Sequence, residues 1–150
     1  MRLGSLTRPD LVFPDLAATD RTEVLRAFAE RIAERGLVRD AETLFQRLAE
    51  REQLGSTGIG GGIAIPHCKI DGLKQGMVAI GRVREGVAFG AADGQPVRLF
   101  FLVISPSQAP AEHLQALAAI SRWIKAGGRA QALLEQPGAE EIYAYLQQEG

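Results

Sequence analysis

The chain has 150 residues, with 17 Lys and Arg against 18 Asp and Glu, so its formal net charge is -1. This balance argues against nonspecific nucleic-acid binding, which needs a basic face to neutralise phosphates, and it leaves proteins or small anions as expected partners. The length predicts one domain over residues 1–150. The single cysteine excludes an internal disulfide. The sequence has no signal peptide and no apolar run of about 20 residues, which predicts a cytoplasmic protein without membrane insertion.

Two helices are predicted in the first third of the chain. Asp20 is placed to cap the first, which should end near Gly36, and Asp40 is placed to cap the second. Arg51 falls in the last turn of the second helix, before Gly55. Their apolar stripes follow helical spacing: Val24, Leu25, Phe28 and Ile32 in the first helix, and Leu44, Phe45 and Leu48 in the second.

Two longer strands are predicted in the middle of the chain. Residues 77–83 alternate between two faces, and residues 97–104 are almost wholly apolar. A continuous apolar run is typical of a strand covered on both faces, so the second segment should be central in its sheet. Residues 86–96 are rich in turn formers and are predicted to hold a short strand pair.

The last third of the chain is predicted to be helical. A long helix should run over residues 111–126 after two prolines and stop at a pair of glycines. A short helix to residue 135 and a last helix around Ile142 follow. Because helices flank the strands at both ends of the sequence, we expect an α/β fold, a three-layer sandwich with a mixed β-sheet between two layers of helices.

One segment presents a histidine in an unusual setting. Residues 58–69 read Gly-Ile-Gly-Gly-Gly-Ile-Ala-Ile-Pro-His-Cys-Lys, so His67 follows a glycine cluster and a short apolar run. Glycines permit tight turns that bring backbone N–H groups near an anion, and residues 63–65 can form a short buried strand. Imidazole keeps a large neutral, nucleophilic fraction near pH 7. His67 is therefore expected at a strand end beside a groove, as a phosphate carrier or as a loop histidine bonded to a carbonyl.

This segment, from Leu54-Gly-Ser-Thr-Gly-Ile-Gly to Gly-Ile-Ala-Ile-Pro-His67, resembles the active-site segment of the fructose/mannitol-type enzyme IIA domains of the bacterial phosphotransferase system. It is most similar to their nitrogen-regulatory branch. The likeness covers about residues 5–145, because Arg51-Glu52 upstream and Glu112-His113-Leu114 downstream also match the family pattern.

The resemblance implies a phosphotransferase component with a phosphohistidine intermediate. His67 would accept the phosphoryl group from an HPr-like phosphocarrier protein, with no cofactor and no metal. Either the chain is a regulatory protein whose phosphorylation state controls binding to target proteins, or it is a sugar-transport enzyme IIA that passes phosphate to an enzyme IIB. The sequence contains no IIB, HPr or membrane segment, which favours the regulatory interpretation.

The resemblance also implies supporting residues. An arginine at Arg51 would lie near the phosphoryl group, and His113 would bond a phosphoryl oxygen or hold the His67 ring. Considered alone, Arg51 is a solvated helix-end cation with Glu52 as an exposed partner, and His113 is a partly buried helix histidine. Ser56 and Thr57 are either turn residues or hydroxyl donors to phosphate. Backbone donors for the phosphoryl group are expected in the same segment, at Gly58 and Gly60.

Two positions depart from the family pattern. Gly61 stands where asparagine is common, and Cys68 stands where glycine is usual, which bears on the loop expected after His67. A His-Cys pair adjacent in sequence also suggests a metal site, but its side chains point apart in an extended segment and zinc needs about four ligands. Lys69 is expected to face solvent. The glycines are not followed by Gly-Lys-Ser/Thr, so a nucleotide-binding P-loop is excluded.

Overall fold

A mixed sheet of six strands runs through the middle of the computed structural model, which describes residues 2–149. The strand order is β1-β5-β6-β3-β2, and β4 pairs with β6 as well. The β5–β6 and β2–β3 pairs are antiparallel, and the other pairs are parallel. The strands are β1 (Val12–Phe13), β2 (Gly58–Gly60), β3 (Ile63–Ala64), β4 (His67–Ile70), β5 (Met77–Val87) and β6 (Val97–Pro106).

Strand β6 is central, as its apolar sequence predicts. It pairs with β5 on one edge and with both β3 and β4 on the other. Its successive side chains alternate between two hydrophobic cores: Phe100, Leu102 and Ile104 face one, and Leu99, Phe101 and Val103 face the other. Because both faces of β6 are covered, the strand carries no polar alternation that would mark a solvent side.

Five helices cover the two faces of the sheet. The first core contains residues of α1 and α2, and the second contains residues of α3, α4 and α5. The three-layer α/β sandwich predicted from the sequence is therefore confirmed. The helices are α1 (Arg21–Glu34), α2 (Ala41–Gln53), α3 (Pro110–Lys125), α4 (Arg129–Glu135) and α5 (Ala139–Glu149).

The caps of the first two helices are those expected. The Asp20 side chain accepts a hydrogen bond from the Glu23 N–H at 2.8 Å, and the Asp40 side chain accepts one from the Thr43 N–H at 2.7 Å. Each bond satisfies a backbone donor that the first helical turn leaves unpaired. None of the helices within residues 2–149 is long and apolar enough to cross a membrane.

The segment before β6 differs from its prediction. Strand β5 extends to Val87, which pairs with Val97, and residues 88–96 form turns and loop, so the strand pair expected at 86–96 is wrong. The loop is held instead by the carboxylate of Asp93, which accepts hydrogen bonds from the Gly61 N–H at 2.9 Å and the Gln95 N–H at 3.0 Å.

Arg82 of β5 has a setting that the sequence did not predict. Its side chain is buried with 1% of its surface exposed. Nε donates to the carbonyl of Pro14 at 3.0 Å, and Nη1 donates to three carbonyls at the end of α4: Leu133, Leu134 and Gln136. Burial lowers the pKa of the guanidinium. Arg82 thereby ties the N-terminal segment and α4 to the sheet.

Candidate functional site

His67 is the first residue of β4 and is half-buried. The strand expected over residues 63–65 is present as β3, but His67 begins a further strand instead of standing at its end, and the loop expected after it is wrong, because residues 67–70 pair with β6 in register from Val103 to Pro106. Pro66 interrupts the edge between β3 and β4, which both lie beside β6. His67 therefore stands where the edge strand resumes, with its backbone fixed by the sheet.

Hydrogen bonds distinguish the two ring nitrogens of His67. Nδ1 lies 2.7 Å from the carbonyl oxygen of Ile65, and because a carbonyl can only accept, Nδ1 carries the proton. Nε2 accepts a hydrogen bond from Nε of Arg51 at 3.2 Å, so it holds the lone pair. The ring is thus a neutral imidazole whose free lone pair is on Nε2.

The electrostatic surroundings keep this ring neutral. Burial lowers the pKa of His67 below its ordinary value of 6.5, and the charges of Arg51 and Lys69 lower it further. The Ile65 carbonyl and the Glu52 carboxylate act in the opposite direction without reversing the shift. The unprotonated form therefore predominates near pH 7, which is the form that can act as a nucleophile.

Arg51 is held beside the ring by a second contact. It lies in the last turn of α2, and Nη1 donates to the carbonyl of Gly55 at 2.9 Å while Nε donates to His67. These bonds use two of the five N–H donors of a guanidinium. The remaining donors give this half-exposed side chain the capacity to bind a further anion.

His113 approaches His67 from the other side of the sheet edge. It lies in the first turn of α3, its side chain is buried, and its ring centroid is 5.4 Å from that of His67 with a tilt of 55°. Nδ1 of His113 lies 2.7 Å from the hydroxyl of Ser105. Burial, followed by the charges of His67 and Lys69, lowers the pKa of His113 to about 4, so this ring is neutral as well.

The loop before β2 is internally bonded. The Thr57 hydroxyl and N–H both donate to the carboxylate of Glu52, and the Ser56 hydroxyl donates to the Phe89 carbonyl at 2.5 Å and accepts from the Gly58 N–H at 3.0 Å. These contacts favour turn-forming roles for Ser56 and Thr57 over direct donation to phosphate. Glu52 is buried, so the expectation of an exposed partner is wrong: its carboxylate organises the loop.

Glycine is required at Gly60 for backbone reasons. Its φ is +92°, in the left-handed region, and an added Cβ would lie 3.3 Å from the Asp93 carboxylate. The segment 58–60 is half-buried to exposed and forms β2, which pairs with β3 just before His67. Gly58 and Gly60 therefore pair with the strand that precedes His67 in the chain, and the Gly58 N–H already donates to the Ser56 hydroxyl.

Cys68 and Lys69 fall outside the cluster formed by His67, Arg51 and His113. Lys69 is exposed, as expected. The Cys68 side chain packs in the core against α1 and α2, and burial raises the pKa of its thiol to about 12. Among the side chains that the structure describes, over residues 2–148, no group of three or more His, Cys, Asp and Glu could hold a metal ion.

An apolar rim accompanies the cluster. Three large hydrophobic side chains are exposed within the described part of the chain: Leu54, Ile59 and Leu114, at 84%, 51% and 67%. Leu54 follows Arg51 by three residues, Leu114 follows His113 directly, and Ile59 lies in β2. A contiguous patch of exposed apolar side chains is typical of a surface that binds another protein, and the sequence positions of Leu54 and Leu114 beside Arg51 and His113 make such a surface at the site a hypothesis.

Comparisons with known proteins identify the family of the chain. The family model described as "Phosphoenolpyruvate-dependent sugar phosphotransferase system, EIIA 2" matches residues 5–149. A nitrogen regulatory protein of Pseudomonas aeruginosa is 35% identical over 143 residues, 95% of this chain and 93% of that protein. A fructose-specific EIIA component of Haloferax volcanii is 29% identical over 144 residues, 96% of this chain and 94% of that protein.

Solved structures of a nitrogen-regulatory and a mannitol IIA protein share the fold of this chain. The nitrogen regulatory protein IIA-Ntr of Neisseria meningitidis superimposes with a TM-score of 0.87 and 33% identity, covering 96% of this chain and 98% of that one. The mannitol IIA protein of Escherichia coli, in its complex with phosphorylated enzyme IIB, has a TM-score of 0.78 over 93% of this chain and 95% of that one. At 22% identity, the second likeness bears on the fold alone.

Proposed function

The chain belongs to the EIIA 2 family of the phosphoenolpyruvate-dependent sugar phosphotransferase system, a family of phosphoryl carriers, and we propose that it accepts the phosphoryl group on Nε2 of His67. The observation that carries the proposal is the pair of hydrogen bonds on the ring. The Ile65 carbonyl fixes the proton on Nδ1, and Nε2 keeps its lone pair toward Arg51.

The proposed step forms one bond and breaks one. The Nε2 lone pair attacks the phosphorus of a phosphohistidine on the carrier in line, and the P–N bond of the donor breaks with its electron pair staying on the donor imidazole. Positive charge develops on the His67 ring as the new P–N bond forms. The Ile65 carbonyl stabilises that charge through Nδ1–H, because it is already placed to accept from this proton.

Arg51 and His113 serve the phosphoryl oxygens in this proposal. Phosphoryl transfer asks the protein mainly for positioning and charge stabilisation. The Nε–H of Arg51 now points at the attacking nitrogen, so it must turn to a phosphoryl oxygen when the phosphorus arrives. The planar guanidinium can bind two oxygens of the dianion at once, and the bond to Gly55 keeps it at the site.

The donor is proposed to be an HPr-like phosphocarrier that docks on the apolar rim. Phosphotransferase IIA proteins interact with phosphocarrier and IIB partners, and the mannitol IIA protein of E. coli was solved as a complex with its IIB. Leu54 and Leu114 are exposed and follow Arg51 and His113 closely in the chain. Neither side chain has a polar atom that could take part in the transfer. Replacing either by serine should raise the KM for the phosphorylated carrier and leave kcat near wild type; an unchanged KM in both variants would remove the rim from the proposal.

A regulatory role fits the chain best. The Pseudomonas and Neisseria proteins that exceed 30% identity over almost the whole chain are both nitrogen regulatory proteins. We therefore propose that phosphorylation of His67 controls binding to target proteins, in the cytoplasm where the sequence predicts the chain to be. The fructose-specific relative favours the second candidate, a sugar-type IIA that passes phosphate to an enzyme IIB.

A reconstituted phosphorylation chain tests the proposal. The protein is incubated with enzyme I, an HPr-like carrier and phosphoenolpyruvate, and the added phosphate is located by mass spectrometry. We expect one phosphate on His67 that is labile in acid, as a phosphoramidate is, and phosphate on another residue would refute the assignment. Adding fructose- and mannitol-type IIB domains then separates the two candidate roles, because only a transport IIA should transfer its phosphate rapidly to a IIB.

A further inference from the structure

Ser105 is a polar side chain at the end of the apolar strand β6, with 2% of its surface exposed. It follows Val103 by two residues, so both side chains lie on the face of the sheet that α3 covers, and Val103 is the register partner of His67. Its hydroxyl meets Nδ1 of His113 at 2.7 Å. Ser105 therefore contacts the ring that lies beside His67 without touching His67 itself.

The direction of this hydrogen bond follows from counting protons. A neutral imidazole has one N–H, and within residues 2–149 Nδ1 of His113 is the one atom that bonds the Ser105 hydroxyl. If Nδ1–H donated to Ser105, the hydroxyl proton would be buried without an acceptor, which is costly for a group removed from water. If the hydroxyl donates to Nδ1, both the hydroxyl proton and the Nδ1 lone pair are satisfied.

We propose that Ser105 is a positioning residue that fixes His113 in the Nε2–H tautomer. With Nδ1 occupied by Ser105, Nε2–H is the donor that remains, and among the side chains described over residues 2–148 none accepts from it. The two histidines are then opposite in tautomer: His67 carries its proton on Nδ1 and His113 on Nε2. The low pKa of His113 is consistent with this arrangement, since it keeps the ring at one proton.

The tautomer of His113 has a consequence for phosphoryl transfer to His67, and this consequence rests on the proposed function. A phosphoryl group on His67 carries negative oxygens into the space beside the His113 ring, whose centroid is 5.4 Å from that of His67. An Nε2–H group can donate to those oxygens, whereas the other tautomer would present a lone pair and repel them. Ser105 would thus support transfer from a position that contacts neither the phosphoryl group nor the nucleophile.

The structure allows a matched pair of variants at this position. A cavity of about 210 Å³ lies beside Ser105 and is lined by Ala116, Met77 and Val78 among others, so one additional methyl group can be accommodated. Ser105→Thr keeps the hydroxyl, and Ser105→Val has nearly the same shape without it. Any difference between the two variants therefore reports the hydroxyl rather than the packing, and Ser105→Ala serves where the larger side chains prevent folding.

The first measurement is the protonation of the His113 ring by nitrogen-15 NMR on the unphosphorylated protein. We expect the Nε2–H tautomer in wild type and in Ser105→Thr, with an Nδ1 resonance shifted by the hydrogen bond. Ser105→Val and Ser105→Ala should lose that shift and show a mixture of tautomers. A wild-type ring protonated on Nδ1, or a wild-type Nδ1 resonance in the variants without the hydroxyl, would overturn the inference whatever the protein's function.

The second measurement is the rate of phosphoryl transfer from a phosphorylated HPr-like carrier to His67. Ser105→Thr should transfer at close to the wild-type rate, and Ser105→Val should be slower by the factor by which its Nε2–H population falls, about twofold for an equal mixture of tautomers and more where Nδ1–H predominates. Equal rates for the two variants would overturn the consequence for transfer. If wild type itself accepts no phosphate, the proposed function fails, while the NMR result still decides the tautomer.

Discussion

Two arginines in this fold, Arg51 and Arg82, have similar partners and opposite settings. Arg51 is half-exposed and donates to one backbone carbonyl and to Nε2 of His67. Arg82 is buried and donates to four backbone carbonyls. Among the side chains described over residues 2–148, no carboxylate lies within ion-pair distance of either guanidinium. Surroundings rather than residue type therefore separate a group available for chemistry from a group used for structure.

The difference has a physical cause. The carbonyls that Arg82 meets belong to the end of α4 and to an N-terminal turn, and they carry partial negative charge that partly replaces a counterion. Because water cannot reach Arg82, losing these bonds would leave buried acceptors unpaired. Arg51 is half-exposed and has guanidinium N–H groups that make no hydrogen bond to the residues that the structure describes, so an incoming phosphoryl group can bind to them without disrupting the fold.

The sharpest separation of the two regions is expected from His67→Ala. Phosphoryl acceptance should be abolished, because the proposed nucleophilic nitrogen is gone, while the free energy of unfolding should change by no more than about 1 kcal/mol for this half-exposed edge residue. Phosphate incorporation and chemical denaturation of the same preparation measure both effects. Robust phosphate uptake by the folded variant would contradict the role of His67.

The reverse pattern is expected at Arg82. Arg82→Ala should lower the free energy of unfolding by about 3–5 kcal/mol, through the lost packing and the unpaired carbonyls, and should leave the transfer rate of the folded protein nearly unchanged. Arg84→Ala is the matched control, because the exposed Arg84–Asp15 ion pair of 3.1 Å should be worth less than about 1 kcal/mol. Equal stability of the two variants would break the comparison.

A change at His113 should affect both stability and transfer, because its side chain is buried and lies beside His67. An unfolded chain binds a proton on this histidine near its ordinary pKa of 6.5, but the native ring does so only near a pKa of about 4. Stability is therefore fully present above about pH 6.5 and falls as the pH drops toward 4, by up to about 3 kcal/mol. Denaturant unfolding at several pH values should show a flatter acid decline for His113→Gln than for wild type; parallel declines would contradict the buried neutral ring.

The smallest of these effects is expected at Arg51. Arg51→Ala should slow transfer by roughly 10- to 100-fold, and Arg51→Lys should slow it less, since lysine keeps the charge but loses the planar fork. Neither change should lower the free energy of unfolding by more than about 1 kcal/mol. Rapid-quench measurements of phosphate transfer rank the variants, and wild-type rates in both would reduce Arg51 to a surface residue.

The fold was predictable where local signals sufficed. Asp20 and Asp40 cap their helices through bonds within three residues, and the apolar run of β6 indicates coverage on both faces without any partner being known. The short strands β1, β2 and β4 have two to four residues each and exist because of their pairing with β5, β3 and β6, which no local pattern specifies. Turn formers at 86–96 suggested a hairpin, but tertiary bonds to Asp93 hold that segment as a loop.

The site also contains residues that the sequence indicated and residues that it did not. The motif around His67 and its resemblance indicated Arg51 and His113, and the structure brings these three side chains together. The burial of Glu52 and the contact of Ser105 depend on chain segments that meet only in the folded protein. A single hydroxyl after six consecutive apolar residues, at Ser105, was the one available signal, and it does not by itself specify a histidine partner.

The buried thiol of Cys68 makes the native protein a convenient background for fluorescent labelling. It is the only cysteine in the chain, and with its pKa raised to about 12 it stays protonated under the near-neutral conditions in which maleimides react with thiolates. A cysteine introduced at the exposed position of Leu54 or Leu114 would therefore be the one reactive thiol. A dye attached there would report carrier docking in real time, without first removing any native residue.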